Sequence, residues 1–588
     1  MKREPGSSPD QGGKTGTVPR QRETEVRTPE RARPRRPVLG RQGIGRAAVM
    51  IGVITVLARL VGFGRQVVFA QTVGTTCLGT AYTTANMVPN IIYDIVLGGA
   101  LSSVVVPVLA GPAGTFGTSG TGGAEARRIA SALLTWTVLL LVPVSAALAL
   151  AAHPIVAALL SGATGCPHGP LAGVGARMLI VFAPQVLLYG LAVVLYGILQ
   201  SHRRFGPPAL APLLSSLVVI GAYAAFGEVG GAYVNRLGEL PPRAEYLLSG
   251  GTTLGVLALV LTAVVPAWRI GVRSRPTLRF PPGVGQRVRR LALAGVVTLV
   301  AQDASVAVVI VLANHFGTSG ALVIYGFAWA VFMVPFAVLA VPIATSAFPE
   351  LSTRDADPAD TGSGAFDVTA AASTRAVMVA SWLGAAVLVG AREPIARVFE
   401  SRSPSAASVL ALALAAFAPG LIGYGLSANL SRVLYARRRN RAPALAIAGG
   451  WLLVIVADLA IVPFVPAYRV VPVLGLGTTF GLTVSGIALL LLVRRECGPA
   501  ALHRVPRAFL AGLAGCVIAA VAGSAVSSVI SGAVPALPGG GFLANVGLSV
   551  LVAVVVTAVF AAVVLRLDGG DLRTALSRLR TRPPRAAG

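Results

Sequence analysis

Long apolar stretches, each long enough to cross a bilayer as a helix and each set off by short polar turns, recur along almost the whole 588-residue chain. A hydrocarbon core of roughly 30 Å takes about 20 residues of helix, and only helices or closed barrels satisfy their backbone hydrogen bonds there. On that measure the spans fall near 47–70, 79–110, 129–151, 171–200, 207–227, 246–268, 291–313, 321–348, 374–390, 406–434, 443–463, 473–493, 508–531 and 543–565. With 55% hydrophobic and 12% charged residues, a water-soluble fold is excluded. The expected class is an all-α integral membrane protein of about 14 transmembrane helices.

The net charge of +27 would suit nucleic acid if the basic residues formed one patch, but they alternate with the spans. Lys and Arg in short loops are retained on the cytoplasmic side. With the first 46 residues placed inside, 39 of the 49 basic residues fall in cytoplasmic segments, 7 in outside loops and the rest within helices. That partition sets an even number of spans, both termini cytoplasmic and a multi-pass protein of the bacterial inner membrane, with no nucleic-acid partner. Residues 1–46, rich in Arg and Pro and without an apolar run, are expected to form a disordered basic arm beside anionic membrane lipids rather than a signal peptide. Residues 567–588 form a basic cytoplasmic tail. Cys77, Cys166, Cys497 and Cys516 show no paired spacing and no nearby His cluster, so they are expected to be small apolar fillers, with no disulfide framework and no metal site.

The chain also repeats itself. Phe182 to Pro212 aligns without gaps on Phe417 to Ile447, and the copies share an opening Phe-Ala-Pro, a Tyr-Gly-Leu, two basic residues and a Pro-Ala-Leu-Ala run. These are spans four to five and ten to eleven, so the repeat unit is six helices and the halves run parallel. The resulting division is an N-lobe at 47–270, a C-lobe at 271–495 and an accessory helix pair at 496–566. Two such lobes build a carrier with its cavity between them.

Ionisable residues inside spans are costly and mark function. Arg59 lies about 18 Å into the first span at 1.5 Å per residue, where a guanidinium costs about 2.5 to 3.5 kcal/mol unless it meets water or an anion. Arg65 follows six residues later, about 9 Å along and ~120° around the helix. Guanidinium forks match phosphate oxygens, so a pyrophosphate is the natural guest; pairing of Arg59 with Asp94, and snorkelling of Arg65, compete with that reading. Asp303 and Asp458, with Thr478 and Thr479, are candidate ligands for a coupling Na+ or H+, or else structural groups. Nothing resembles a nucleophile elbow, a nucleotide loop or paired catalytic carboxylates, so no enzyme activity and no cofactor beyond the coupling ion are expected.

The stretch ARLVGFGRQVVFAQTVG, followed by ANMVPNIIYD and GALSSVVVPVL, resembles the opening of the MurJ (MviN) family of lipid II flippases in the MOP superfamily. VPFAVLAVPIATSAFPELS, REPIARVFE and LYARRRNRAP are similar to later family segments, so the likeness runs from about 47 to 490. It implies a MOP/MATE-like carrier that moves undecaprenyl-pyrophosphate-linked disaccharide-pentapeptide, lipid II, from the cytoplasmic to the outer leaflet for peptidoglycan synthesis. The family's two essential arginines fall on Arg59 and Arg65, and its cavity wall after the first helix on Asn90, Tyr93 and Asp94. Family charges are replaced at Thr80, Tyr93 and Ala330. Two alternatives follow: a MOP-type exporter of another polyprenyl-linked glycan or amphiphile, and a non-transporting scaffold that works with cell-wall synthesis proteins.

Overall fold

The computed structural model describes residues 41–95, 121–202, 204–269, 276–278, 284–356, 364–400, 404–533 and 541–567. Helices α1 (Arg41–Thr72), α2 (Cys77–Asp94), α3 (Thr121–Leu150), α4 (Ala152–Leu159), α5 (His168–Phe182), α6 (Pro184–Ser201), α7 (Gly206–Gly230) and α8 (Pro242–Arg269) come first. They are followed by α9 (Val284–Phe316), α10 (Ala321–Pro335), α11 (Val341–Ala356), α12 (Ala365–Gly390), α13 (Arg392–Val398), α14 (Pro404–Phe417) and α15 (Gly420–Ala436). Last are α16 (Arg441–Ile461), α17 (Val470–Cys497), α18 (Val505–Ala533) and α19 (Gly541–Leu567).

Twelve of the described helices are long and apolar enough to cross a membrane, and the bent pair α14–α15 makes a thirteenth. Of the fourteen expected spans, the second begins as α2, but its later part and the segment up to 110 lie outside the described residues. Large apolar side chains such as Leu150, Phe464, Leu543 and Val529 point away from the bundle. In water this surface would be untenable; against acyl chains it costs nothing.

Proline explains where spans break. It lacks an amide proton and its ring crowds the carbonyl four residues back, so a helix stops or bends there. Both copies of the Phe-Ala-Pro triplet lie at such a point: Pro184 opens α6 directly after α5, and Pro419 separates α14 from α15, which meet at 44°. A third break follows Pro335, where Phe336–Ala340 winds as a π-helical stretch before α11. At the opposite end of the repeat, the chain turns tightly through Arg438 in a left-handed conformation, φ 57°, before α16 starts.

Helices α2 to α8 pack largely among themselves, with α7 against α8, α3 against α6 and α2 against α5. A second set gathers α15, α16 and α17, with α9 alongside α16 and α18–α19 against α12. Here small residues let backbones touch, which is the main source of affinity between helices in lipid. A Cβ on Gly423 would collide with the backbone at Leu482, and one on Gly481 with the Gly450 carbonyl. An aromatic file links the sets: Phe69 of α1 lies 6.2 Å from Phe327 of α10, and Phe327 4.9 Å from Phe399. Phe399 in turn meets Phe63 edge-on at 5.8 Å.

The structure corrects the expectation for cysteine. Cys77, at the start of α2, and Cys166, in the turn before α5, form a disulfide with Cα atoms 5.7 Å apart. Their separation of 89 residues hides the pairing from any local spacing rule, because it is set by how α2 packs on α5. Cys497 and Cys516 are free. Peptide mapping of the purified, unreduced protein should therefore find the Cys77 and Cys166 peptides joined, with Cys497 and Cys516 as thiols. Replacing the bonded pair by serine should lower unfolding stability by about 2–4 kcal/mol. Recovery of four free thiols would refute the bond.

Candidate substrate chamber

Arg65 is placed by a helix with no competing local structure. The α1 sequence around it is apolar apart from Gln66 and Gln71, and residues 52–60, Arg59 among them, are largely exposed. Arg65 lies deeper and is half-buried, because α1 leans there against α2, α7 and α10 through Phe69. It lines a cavity of about 230 Å³ whose walls come from α1, α2, α6, α7, α8 and α10. Gln66, Tyr82, Thr83, Asn86, Asn90, Tyr189, Ser215, Tyr223 and Thr252 supply polar atoms, and Phe69, Val219, Val323 and Phe327 the apolar remainder. No hydrogen bond or ion pair joins the Arg65 side chain to another described residue, and no carboxylate lines the chamber among those residues. The Asn86 side-chain oxygen is also buried without a partner.

The chamber therefore offers an unpaired cation, amide groups and hydroxyls set among apolar side chains. A half-buried guanidinium left without a partner is costly alone and favourable once an oxygen-rich anion occupies the space, whereas the Asn86 oxygen, an acceptor, calls for a donor.

The other sequence-selected residues are distributed as follows. Asn90 lines the chamber and donates to the Asn86 backbone oxygen at 2.9 Å. Tyr93 packs on Tyr189 with ring centroids 4.2 Å apart, behind the chamber wall, and Asp94 ends α2 beside it, half-buried. Neither lines the cavity, and neither does Arg59. Asp94 makes no ion pair with Arg59 or Arg65 among the described residues. In the second helix set, Asp458 of α16 is 1% exposed and neither of its carboxylate oxygens has a partner. Gly477 of α17 makes room for it, since a Cβ there would collide with the Asp458 Oδ1. Thr478, next along α17, is buried and donates to the Leu474 oxygen, while Thr479 turns to the Ala416 oxygen at 2.7 Å. Asp303 of α9 is buried with its Oδ2 unpaired. Thr478 and Asp458 thus share one packing site with Tyr325 of α10, and Thr479 faces another helix.

Sequence reasoning missed the latch that closes one end of the chamber. Gly320, held at φ +80° against Thr75, donates its amide to Thr80 Oγ1 at 3.1 Å. Asn314 donates to Thr84 Oγ1 at 3.0 Å and to the Leu159 oxygen at 3.2 Å. Thr164 donates to the Gly317 oxygen at 2.9 Å, and Gln71 to the Val398 oxygen at 2.8 Å. The Ser319 hydroxyl reaches Cys166 Sγ at 3.2 Å and is the donor, since a disulfide sulfur carries no proton. Apart from the Gln71 contact, which ties the end of α1 to the end of α13, these contacts join the end of α9 and the turn before α10 to α2, to the end of α4 and to the turn that follows it. The sequence signal was faint: a polar Asn, four Thr and two Gly near span ends, none unusual singly.

Broken, mostly apolar spans around an internal polar chamber make this a multi-pass membrane protein with a cavity of its own. Residues 69–538 match the family described as lipid II flippase MurJ, and the chain belongs to that family. Among its relatives, the probable lipid II flippase MurJ of Rhizobium meliloti strain 1021 is 28% identical over 405 residues, covering 67% of this chain and 70% of that protein. The lipid II flippase MurJ of Burkholderia cenocepacia strain J2315 is 26% identical, covering 72% and 78%. Among solved structures, a lipid II flippase MurJ in an inward closed conformation superposes with a TM-score of 0.66 at 17% identity, over 88% of this chain and 99% of that one. An inward-facing multidrug resistance MATE transporter of the MOP superfamily gives 0.58 at 14% identity, over 76% and 98%. The chain is a membrane transporter by family, not an enzyme.

The latch generates its own test. Asn314→Ala removes two hydrogen bonds worth roughly 0.5–1.5 kcal/mol each, so amide exchange at Gly317 and Gly320 should accelerate several-fold in the detergent-purified protein. Unchanged exchange there would show that these contacts do not hold that end closed.

Proposed function

We propose that the protein carries lipid II, or a closely related polyprenyl-linked glycan, from the cytoplasmic to the outer leaflet by alternating access. The single observation behind this reading is the unpaired Arg65 guanidinium inside a polar chamber at membrane depth. An anionic headgroup would supply the missing partner while its polyprenyl tail stays in lipid, beside the exposed apolar helix faces. Arg59, exposed on the same helix about two turns away, would meet the phosphates first, on the way in. In this reading both termini are cytoplasmic, the latch end faces outward, and the protein resides in the bacterial inner membrane.

Energy would come from an ion. The Asp458 carboxylate, buried and unpartnered beside Thr478, has the hard-oxygen chemistry that takes Na+ or a proton, and occupancy there would relieve the cost of burying the charge. Asp303 has the same character on a neighbouring helix.

The exporter reading draws on Tyr93 and Ala330, which stand where the resemblance places family arginines. Outer-leaflet lipid II in proteoliposomes separates the two. Arg65→Ala loses charge-assisted contacts worth about 1.5–3 kcal/mol, so the flipping rate should fall by at least about tenfold. Arg59→Ala should cost less. Asp458→Asn should abolish any dependence on the imposed ion gradient. No translocation of lipid II by the unaltered protein, with efflux of an amphiphilic dye retained, would leave the exporter; a strain complemented fully by the Arg59→Ala, Arg65→Ala double variant would leave the scaffold.

A further inference from the structure

Three hydroxyls on the chamber wall, Tyr82 of α2, Tyr223 of α7 and Thr252 of α8, form a chain whose proton order can be deduced. Thr252 donates to the Leu248 carbonyl at 2.8 Å, which can only accept. That uses the single proton Thr252 has. In its 2.7 Å contact with Tyr82, Thr252 is therefore the acceptor and Tyr82 the donor. With the Tyr82 proton committed, the 2.7 Å contact between the two tyrosines requires Tyr223 to donate. The order is Tyr223 to Tyr82 to Thr252 to the Leu248 oxygen.

The chain begins at Tyr223, whose oxygen has given its proton away; Thr252, which also reaches it, has already committed its own proton to the Leu248 carbonyl, so neither hydroxyl neighbour donates to Tyr223. Tyr223 is 5% exposed and its ring is pinned 5.2 Å from Phe69 and 6.1 Å from Tyr82, so the oxygen cannot turn to bulk water. A buried acceptor of fixed direction, facing the same cavity as Arg65, is unsatisfied until a donor arrives.

Given the carrier reading above, we infer that Tyr223 is a specificity-determining residue that reads an O–H or amide N–H donor on the glycan of the headgroup, while Arg65 holds the phosphate. A bare polyprenyl diphosphate has only acceptors for the site and leaves Tyr223 unpaired. The same lipid carrying an N-acetylhexosamine brings sugar hydroxyls and an acetamido N–H. Sites built to pair with a substrate hydrogen-bonding group reject analogues that lack it, because the site's own buried group is stranded.

The two tyrosines separate on substitution. Tyr223→Phe deletes the acceptor and keeps the ring in its aromatic contacts. Tyr82→Phe removes the group that takes the Tyr223 proton, and so turns Tyr223 from an acceptor into a donor. Binding of the two lipids, polyprenyl diphosphate and its N-acetylhexosaminyl derivative, is measured on the full chain in nanodiscs, with thermal unfolding as the check of fold. The unaltered protein should favour the glycosylated lipid by about tenfold. Tyr223→Phe should bring the ratio close to one by weakening the glycosylated lipid alone. Tyr82→Phe should shrink the ratio from the other side, by strengthening the bare diphosphate.

If Tyr223→Phe keeps the original ratio, or the unaltered protein binds both lipids equally, the role assigned to Tyr223 is wrong. Arg65→Ala decides the carrier reading separately: it should weaken both lipids together. Loss of that effect, or no binding of either lipid to the unaltered protein, would remove the carrier reading and the specificity role with it.

Discussion

A guanidinium inside hydrocarbon is tolerated only where water, a carboxylate or an anion meets it, and the arrangement of this protein follows from how that demand is handled at Arg65. The side chain is not neutralised by a buried acid among the described residues. It is given instead a small polar room, built by helices from both parts of the bundle. Such a room must be shielded from lipid, which needs close helix packing. It must also be coupled to at least one opening, which requires helices that break. Pro184 and Pro335, at the ends of the wall helices α6 and α10, and Gly251 and Gly255, which let α8 close on α7, meet those two needs with sequence features that cost little in a membrane, where neighbouring helices satisfy the freed backbone groups.

Much of the fold could be read from the chain alone because its signals are local. Span length, the alternation of basic turns and apolar runs, and the Phe-Ala-Pro triplets that coincide with the helix breaks are all properties of short windows. The site was legible only in part. Arg65 stood out because charge in an apolar span is rare, and it does line the chamber. Arg59 stood out for the same reason, yet lies exposed outside it, since the side on which a residue emerges depends on how the helix leans on its neighbours. Tyr82, Tyr223 and Thr252 escaped notice because hydroxyl residues are ordinary in membrane helices, and their meeting, 141 and 170 residues apart, is decided by packing. The same holds for Cys77 and Cys166.

The replacements at family charged positions acquire a physical meaning in this setting. Thr80 donates its hydroxyl proton to the Thr76 oxygen and accepts the amide of Gly320, so a position that the resemblance associates with charge serves here as a neutral pin in the latch. Tyr93 packs its ring at a tilt against Tyr189, filling the wall behind the chamber instead of adding a second cation to it. The loss of charge is thus accompanied by local structure that a charged side chain would disrupt. On the proposed reading the chamber would meet its guest with one guanidinium and a set of fixed hydroxyls and amides, which would shift selectivity from charge toward the pattern of hydrogen-bond donors.

Alternating access, as proposed for this chain, would also limit how strong the latch can be. To move an equilibrium from 1:99 to 99:1, a ligand must prefer one state by about 5.5 kcal/mol. Neutral hydrogen bonds worth about 1 kcal/mol apiece, as formed by Asn314, Thr80, Thr164 and Gln71, sum to a few kcal/mol and stay within reach of one bound headgroup or ion. A buried ion pair bridging the two helix sets would raise that barrier by adding the cost of separating its charges. The disulfide respects the same limit: Cys77 and Cys166 both belong to the first helix set, so the bond firms the rim that Ser319 and Gly320 touch and leaves the two sets free to part. The covalent bond thus lies within one helix set, and among the described residues the contacts between the sets are neutral, as a carrier whose two sets part would require.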